Sequence, residues 1–247
     1  MAKALVTGSS RGIGRDIATA LAATGAGVVL HGASDTEPLR QTYEELRSHD
    51  AIVEFVIGDL SDPAVASRLV DEAAEKLGGL TILVNNAGTV IPAKGGELDL
   101  ETWEQVLSVN LRAPLFAAQA AAVHMRTAGW GRIINISSAA GEVAIPAYLA
   151  YGVSKAGLNI MTKYLASEWG TDNVTVNAVS PAFVRTDMAE QVFARLPKLY
   201  EDQLKRVPVR RMGEPREIAA AVVYLASPEA GFTTGEILHV DGGYLIE

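Results

Sequence analysis

Short, almost wholly apolar runs alternate with longer amphipathic segments along this chain, and that alternation limits its fold more than any other feature. Leu80-Thr81-Ile82-Leu83-Val84 is typical of the short runs. Such a run fits a strand buried on both faces of a parallel sheet, because a strand with one wet face would alternate apolar and polar residues. The spacing predicts strands over 3–7, 27–31, 51–57, 80–85, 131–137, 173–179 and 236–240. Helical segments fill the gaps. The first carries Ile13, Ile17 and Leu21 on one face and stops near Gly25. The second opens at Asp35 or Thr36, with Pro38 in its first turn. The third opens at Ser61 or Asp62, with Pro63 suited to the first helical position. Long helices are expected over 99–128 and 148–169. The last opens at Glu214-Pro215 and ends near Ser227-Pro228. This β-α-β-α order implies an α/β fold, a doubly wound parallel sheet of about seven strands with helices on both faces. No linker or repeat interrupts residues 1–247, which reads as one domain. The exception to the regular spacing is 181–212, mixed in charge and broken by Pro197 and Pro208. A long insertion of this kind is expected to cover a substrate.

Composition narrows the function classes. Net charge is −8. Nucleic acid is therefore not the expected partner, since phosphate binding wants clustered Lys and Arg. There is no Cys, so neither disulfides nor thiol chemistry enter. His31, His49, His124 and His239 lack metal-ligand spacing, and no metal is expected. The chain runs from Met1-Ala2-Lys3 straight into strand-like Ala4-Leu5-Val6, without a signal-peptide pattern. The most apolar helical stretch, Ala113 to Met125, holds Gln119 and His124 and is too short to span a bilayer. A soluble, cytoplasmic protein without a membrane partner is the expectation.

Two segments carry chemistry. The first strand ends in Thr7-Gly8-Ser9-Ser10-Arg11-Gly12-Ile13-Gly14, and a helix follows at once. Glycines let a backbone turn tightly beside a pyrophosphate, and the helix N-terminus offers free N–H groups and a positive dipole. The spacing is T-G-x-x-x-G-x-G rather than the literal G-x-G-x-x-G, since Ile17 occupies the third position. Gly8-Ser9-Ser10-Arg11-Gly12 also reads formally as the G-x-S-x-G elbow of α/β hydrolases. That elbow normally follows several strands, and here only one precedes it. The second segment is Tyr151-Gly152-Val153-Ser154-Lys155. Its phenol and ammonium lie one helical turn apart on one face. Ser138 stands thirteen residues upstream. A phenol, an ammonium and a hydroxyl together suit proton transfer to or from an oxygen. Taken alone, such a pair also arises on solvated helix faces.

Together these motifs resemble the short-chain dehydrogenase/reductase family over essentially the whole chain. Thr7-Gly8-x-x-x-Gly12-x-Gly14 looks like its cofactor loop. Asp59-Leu60 looks like its adenine-contacting pair, and Asn85-Asn86-Ala87-Gly88 like its signature after the fourth strand. Asn110, Ser138, Tyr151 and Lys155 match its catalytic tetrad. Pro181 to Thr186 looks like its P-G-x-x-x-T segment beside the nicotinamide, with Ala182 in place of the usual Gly. The resemblance implies a Rossmann fold and an NAD(P)(H)-dependent interconversion of a ketone and a secondary alcohol. It assigns cofactor contacts to Thr7, Gly8, Ser10, Arg11, Gly12, Ile13, Gly14, Ser34, Asp59, Leu60, Asn86, Ala87, Gly88, Tyr151, Lys155, Pro181, Val184 and Thr186. Tyr151 would exchange a proton with the substrate oxygen, and Ser138 would hydrogen-bond that oxygen. Asn110 would serve a water-mediated relay through Lys155. A unit charge 4 Å from a phenol, at an effective dielectric of about 20, is worth roughly 4 kcal/mol, so Lys155 is expected to favour the phenolate, with desolvation opposing part of that.

The second strand ends in His31-Gly32-Ala33-Ser34, without the ribose-binding acid usual for NAD. Arg11 resembles the basic residue of NADP-preferring members, and Ser34 could donate to a 2′-phosphate. Against this, no Arg follows the second strand, and Asp35 is close enough to repel a phosphate. NADP(H) is favoured, with NAD(H) as the alternative. The pattern looks most like 3-oxoacyl-acyl-carrier-protein reductases, and polyol, sugar-acid and ketone dehydrogenases share it. Carrier-dependent members typically show basic residues where this chain has Gly129 and Asp172, with Arg126 and Arg132 nearby. A free small-molecule substrate is therefore expected ahead of an acyl carrier protein. A catalytically silent cofactor-binding protein is the remaining alternative, disfavoured because all four tetrad residues are present. Met188, Val192, Phe193 and Leu196 recur at helical spacing, as a lid face or as ordinary core. Arg195, Lys198, Arg206, Arg210 and Arg211 suit either an anionic substrate or a solvated surface. The family is commonly tetrameric, and helices 99–128 and 148–169 resemble its interface helices.

Overall fold

The computed structural model describes residues 1–49, 51–186, 189–190 and 197–246. Seven strands form one sheet: β1 Lys3–Val6, β2 Gly27–Gly32, β3 Val53–Ile57, β4 Ile82–Asn85, β5 Gly131–Ile136, β6 Val174–Pro181 and β7 Ile237–Val240. Every pairing is parallel, in the order β3-β2-β1-β4-β5-β6-β7. The chain leaves β1 toward β2 and β3, then returns to pair β4 on the other side of β1. The carboxyl ends of β1 and β4 therefore flank a topological switch point, where open α/β sheets bind ligands.

Helices cover both faces. They are α1 Gly12–Ala23, α2 Glu37–Arg47, α3 Val65–Leu77, α4 Leu100–Leu107, α5 Ala113–Ala128, α6 Leu149–Trp169, α7 Pro197–Lys205 and α8 Pro215–Ala226. Side chains of successive strand residues point to opposite faces, and the core divides accordingly. Leu5, Leu83 and Ile133 meet Leu69 of α3, Ala121 and Met125 of α5 and Leu165 of α6. Val6, Ile82 and Ile134 meet Ile17 and Leu21 of α1 and Ile218, Val222 and Leu225 of α8. Full burial of each large aliphatic side chain stabilises the fold by roughly 1.5–3 kcal/mol.

Two expected helices differ from the sequence reading. The third begins at Val65 rather than at Ser61 or Asp62. The side chain of Asp59 accepts the Ser61 N–H and that of Asp62 accepts the Ala64 N–H, so local turns compete with the helix there. The run expected as one helix over 99–128 is broken by a π-helical turn at Ser108–Arg112. Including that turn, Leu100–Ala128 spans 29 residues, and its most apolar 18-residue window has mean hydropathy 1.3, long and apolar enough to cross a membrane by those measures. The expected helix over 99–128 has this length, and only the expectation that its apolar part, 113–125, is too short to span a bilayer is corrected. Half of the most apolar window is buried inside the fold, as for a helix that packs on a sheet. Of the insertion, Met188, Val192, Phe193, Arg195 and Leu196 lie outside the described residues, and 197–205 forms α7.

Candidate active site

Because all strands are parallel, every segment expected to carry chemistry emerges at the same edge of the sheet. Thr7–Gly14 follows β1, Ser34 follows β2, Asp59 follows β3, Asn86–Gly88 follow β4, Ser138 follows β5, and Val184 and Thr186 follow β6.

The glycine loop is gripped from the β4 side. Thr7 Oγ1 accepts the N–H groups of Asn86 and Ala87, each at 3.0 Å. Asn86 Nδ2 donates back to the carbonyls of Thr7 (2.8 Å) and Gly8 (3.0 Å). Gly8 has φ +63°, and a Cβ there would lie 2.9 Å from Ala87 Cα. On Gly14 a Cβ would fall 2.3 Å from the Gly8 carbonyl oxygen. Neither position accepts a side chain, and the tight turn needs glycine at both. Arg11 is the N-cap of α1 and makes no side-chain cap bond. The first-turn N–H groups of α1 have no intrahelical acceptors, so their donor set suits a pyrophosphate. Ile13 is half-buried behind the loop. Across it, the methyl of Thr186 comes within 3.6 Å of where a Gly12 Cβ would stand. Val184 is buried and bridges to Gly213. Pro181 and Leu60 are buried, while Asp59 is exposed.

Ser10 forms no esterase elbow. The Ser10 carbonyl accepts from Thr42 Oγ1 (3.2 Å). The nearby imidazole of His31 instead takes the Gly8 N–H on Nδ1 (3.0 Å) and meets the Gly58 carbonyl through Nε2 (2.9 Å).

The adenine side holds a residue that the sequence reading passed over. Arg40, in the first turn of α2, binds Asp35 with Nε on Oδ1 at 2.7 Å and Nη2 on Oδ2. This arrangement lowers the Asp35 pKa. An arginine therefore does follow β2, six residues beyond Ser34, and the acid expected to repel a phosphate is already neutralised by it. An i, i+5 pair starting outside the helix has no simple periodic signature, which is why it was not legible.

The tetrad residues lie in the π-helical turn (Asn110), just after β5 (Ser138) and in the first two turns of α6 (Tyr151 and Lys155). Lys155 is buried, and its Nζ donates to the Ile136 carbonyl at 2.7 Å and lies 5.7 Å from the Tyr151 ring centroid. Burial pulls its pKa down to about 8. Tyr151 keeps part of its surface exposed. Its pKa is nevertheless raised, chiefly by burial, with Ser138 lowering it by a hydrogen bond and Tyr148 adding to the rise. The expectation that Lys155 favours the phenolate in the protein alone is thus corrected: burial raises the phenol's pKa, and the group that lowers it is Ser138 rather than Lys155.

Asn110 is fully buried inside the π-helical turn. Its Nδ2 donates to the Thr89 carbonyl (2.9 Å) and Ser154 Oγ (3.1 Å), and its Oδ1 accepts the Thr89 N–H (2.8 Å). No direct bond joins it to Lys155. Gly88 stands between them, its absent Cβ 3.4 Å from Asn110 Oδ1 and 3.7 Å from Lys155 Nζ.

A buried polar ladder holds α6 against the sheet. Asn85 Nδ2 donates to Asn135 Oδ1 (2.9 Å), and Asn135 Nδ2 donates to Thr162 Oγ1 (2.9 Å). Ser137 Oγ donates to Asn159 Oδ1 (2.5 Å). Tyr151, Lys155, Asn159 and Thr162 share one face of α6, so these bonds fix the rotation that aims the phenol and ammonium. Asn159 and Thr162 were legible only as more of the same helix face.

The charges beyond the site are mostly engaged. Arg126 donates Nε to Asp172 Oδ2 at 2.6 Å and lies over Trp169. Gly129 caps α5 with φ +77°. Arg132 is buried, donating to the carbonyls of Ser227 and Gly131. Arg206 stacks on Tyr244, and Arg210 donates to the Lys205 carbonyl. Arg211 pairs with Glu217, whose pKa falls to about 2 under that pairing. Lys198 is exposed. Among the described residues no cluster suits a metal ion.

Residues 8–245 match the family described as enoyl-(acyl carrier protein) reductase. The chain is 37% identical to a 3-oxoacyl-[acyl-carrier-protein] reductase of Aquifex aeolicus, covering 97% of this chain and 95% of that protein. It is 38% identical to a galactitol 2-dehydrogenase (L-tagatose-forming) of Cereibacter sphaeroides, covering 98% and 94%. Among solved structures it resembles a gluconate 5-dehydrogenase from Burkholderia cenocepacia J2315 in complex with NADP and tartrate. The TM-score is 0.93 at 30% identity, covering 100% of this chain and 96% of that one. Three further solved neighbours at 32–34% identity also hold NADP.

Proposed function

The chain belongs to the short-chain dehydrogenase/reductase family, and from that premise we propose that it acts on a free, small secondary alcohol or ketone rather than on a carrier-bound acyl chain. The protein is an NAD(P)(H)-dependent oxidoreductase, with NADP(H) favoured. The observation that carries the substrate reading is the Arg126–Asp172 pair beside the Gly129 cap. An acidic carrier is steered by free cations. Here one candidate arginine is neutralised by a carboxylate and another, Arg132, is buried. The galactitol and gluconate dehydrogenases among the relatives act in the class proposed.

In this reading the first turn of α1, with Gly8, Ser10, Arg11, Gly12, Ile13 and Gly14, would hold the pyrophosphate. Thr7 and Asn86 brace that loop, and Ala87 and Gly88 line its β4 side. Ser34 and Arg11 would meet the 2′-phosphate, Asp59 and Leu60 the adenine, and Pro181, Val184 and Thr186 the nicotinamide end. The bound nicotinamide supplies or accepts hydride. Tyr151 Oη gives a proton to the carbonyl oxygen, or takes one from the alcohol. Ser138 Oγ orients that oxygen. Lys155 keeps the phenol supplied with positive charge, and Asn110 shapes the π turn beside it. Residues 1–247 act as one domain, with 181–212 covering the substrate. A cytoplasmic homotetramer completes the reading, because Phe116, Val123, Ile160 and Tyr164 expose apolar surface on α5 and α6. A monomeric mass by light scattering would sink that last point.

The test compares turnover of a carrier-bound 3-oxoacyl thioester, a short free 3-oxo thioester and a panel of polyols and sugar acids. Free substrates are expected to dominate kcat/KM. A preference of more than about tenfold for the carrier-bound thioester over its free counterpart, equivalent to about 1.4 kcal/mol of carrier contact, overturns it.

Cofactor choice gives a second expected result. In Arg40→Ala, Asp35 loses its partner and faces the cofactor's ribose uncompensated. The kcat/KM ratio of NADPH over NADH is expected to fall about tenfold, near the worth of one charge-assisted hydrogen bond. Arg40→Ala/Asp35→Ala should recover most of it. An unchanged ratio in the single variant would remove the pair from cofactor selection. A strong native preference for NADH that Asp35→Ala abolishes would overturn NADP(H) itself.

A further inference from the structure

The imidazole of His31 ties together three strand ends that the proposed chemistry leaves unexplained. It is buried at the end of β2. Its Nδ1 accepts the Gly8 N–H (3.0 Å), so that nitrogen carries no proton. The remaining ring proton must sit on Nε2, which then donates to the Gly58 carbonyl (2.9 Å) beyond β3. The backbone closes the same seam. His31 N–H donates to Ser9 Oγ (2.9 Å), and the Ser9 N–H donates to the His31 carbonyl (3.0 Å). Gly58 in turn donates its N–H to Gly32. Asn86 grips the loop from the β4 side, so the glycine loop is held between Asn86 and His31.

We propose that His31 is a positioning residue for the dinucleotide: its neutral Nε2–H tautomer sets the Gly8 turn and locks that turn to the adenine-side strand end at Gly58. The inference rests on reading the glycine loop as the cofactor site. His31 itself touches no cofactor atom and acts through Gly8.

The geometry makes the latch acid-sensitive. A proton on Nδ1 would put two donors face to face at Gly8, and the loop would have to open. Burial lowers the pKa of His31 below its usual 6.5, opposed in part by the Gly58 bond. Arg68 of α3 and Asp59 after β3 are the charged groups that face the ring, and they act in opposite directions. A depressed histidine pKa contributes stability that is fully present above about 6.5 and is lost as the pH falls from there through the lower folded value.

The experiment measures NADH and NADPH dissociation constants by fluorescence from pH 8 to 5, alongside the melting temperature of the cofactor-free protein. The variants are His31→Asn, which keeps an acceptor near Nδ1, and His31→Leu, which keeps none. NADH carries no 2′-phosphate, so its affinity follows the protein's own titration. Wild-type affinity for NADH is expected to weaken by up to about tenfold per pH unit once the ring protonates. In His31→Asn that dependence should flatten, with affinity near pH 8 within a few fold of wild type. His31→Leu should bind weakly at every pH. Where a variant does not fold, the wild type decides: a ring proton on Nδ1 rather than on Nε2 at pH 8, read from the nitrogen-15 shifts of His31, refutes the latch. Equal affinities and parallel pH profiles in wild type and both variants also refute it, while leaving the site reading intact. Absence of dinucleotide binding by the wild type would instead bring down the site reading, and the proposal with it.

Discussion

Tyr151→Phe is expected to lower kcat by about 10²- to 10⁴-fold, the range set by loss of a positioned general acid–base, while the dissociation constant for NADPH stays within about twofold. The substitution removes one oxygen and keeps the ring. The ring's edge contact with Tyr148 (centroids 6.4 Å apart) and the Lys155 ammonium over its face therefore survive. No hydroxyl remains to exchange a proton with the substrate oxygen. Ser138 is proposed to hydrogen-bond that oxygen, but a serine hydroxyl is a far weaker acid than the phenol, so it cannot substitute. The pKa direction sharpens the result. Burial holds the phenol protonated in the protein alone. Carbonyl reduction, which needs the proton in place, should therefore persist to lower pH than alcohol oxidation, which needs it gone. Single-turnover absorbance at 340 nm, with cofactor affinity measured separately, separates chemistry from binding. A variant retaining more than a tenth of wild-type kcat would falsify the assignment of Tyr151 as the proton donor.

The sheet was legible because its central strands, β1, β2, β4, β5 and β6, are buried on both faces, and such strands write themselves as nearly unbroken apolar runs. All seven expected strands are present, with ends displaced by at most two residues. The site segments were legible for a related reason. Parallel strands deliver every following loop to one edge, so motifs distant in sequence need only follow strands to meet. What the sequence hid depends on side-chain aim. His31 reads as one more residue of an apolar strand. Its role appears only when Gly8 and Gly58 are seen on either side of the ring. Arg40 is one cation among many on an exposed helix until its guanidinium is found on Asp35. The π-helical turn at Ser108–Arg112 has no composition signal, since Ser-Val-Asn-Leu-Arg suits an ordinary helix. The rise in the Tyr151 pKa could not be foreseen without knowing how much protein surrounds the phenol. Opposed effects of a few kcal/mol are decided by burial, which a spacing rule does not report.

Lys155→Met is expected to act in two opposite directions. Turnover should fall by about 10²- to 10⁴-fold, the usual span for removing a group that supports proton transfer. Affinity for the dinucleotide should fall with it, because the family resemblance places this ammonium on the nicotinamide ribose as well. The cofactor-free protein, by contrast, should become more stable near pH 7. Burial drops the Lys155 pKa from 10.5 to about 8. At pH 7, below both values, the folded protein carries the whole penalty of burying the charge. A shift of that size corresponds to about 3 kcal/mol, an order-of-magnitude figure. Methionine fills a similar volume without charge and forgoes the bond to the Ile136 carbonyl, worth about 1 kcal/mol. The net gain should raise the melting temperature by roughly 2–4 °C for each kcal/mol. The sign with pH is fixed as well. As pH rises from about 8 toward 10.5, the folded lysine has shed its proton while the unfolded one still holds it. Wild-type stability from this group therefore climbs through that window, and the advantage of the variant closes. Melting curves at pH 7 and pH 10 on cofactor-free samples give the comparison. A variant less stable than wild type at pH 7 would mean that the buried ammonium strengthens the fold. A more stable but inactive one would mean that this site keeps a charge at the expense of stability because the proton transfer at Tyr151 requires it.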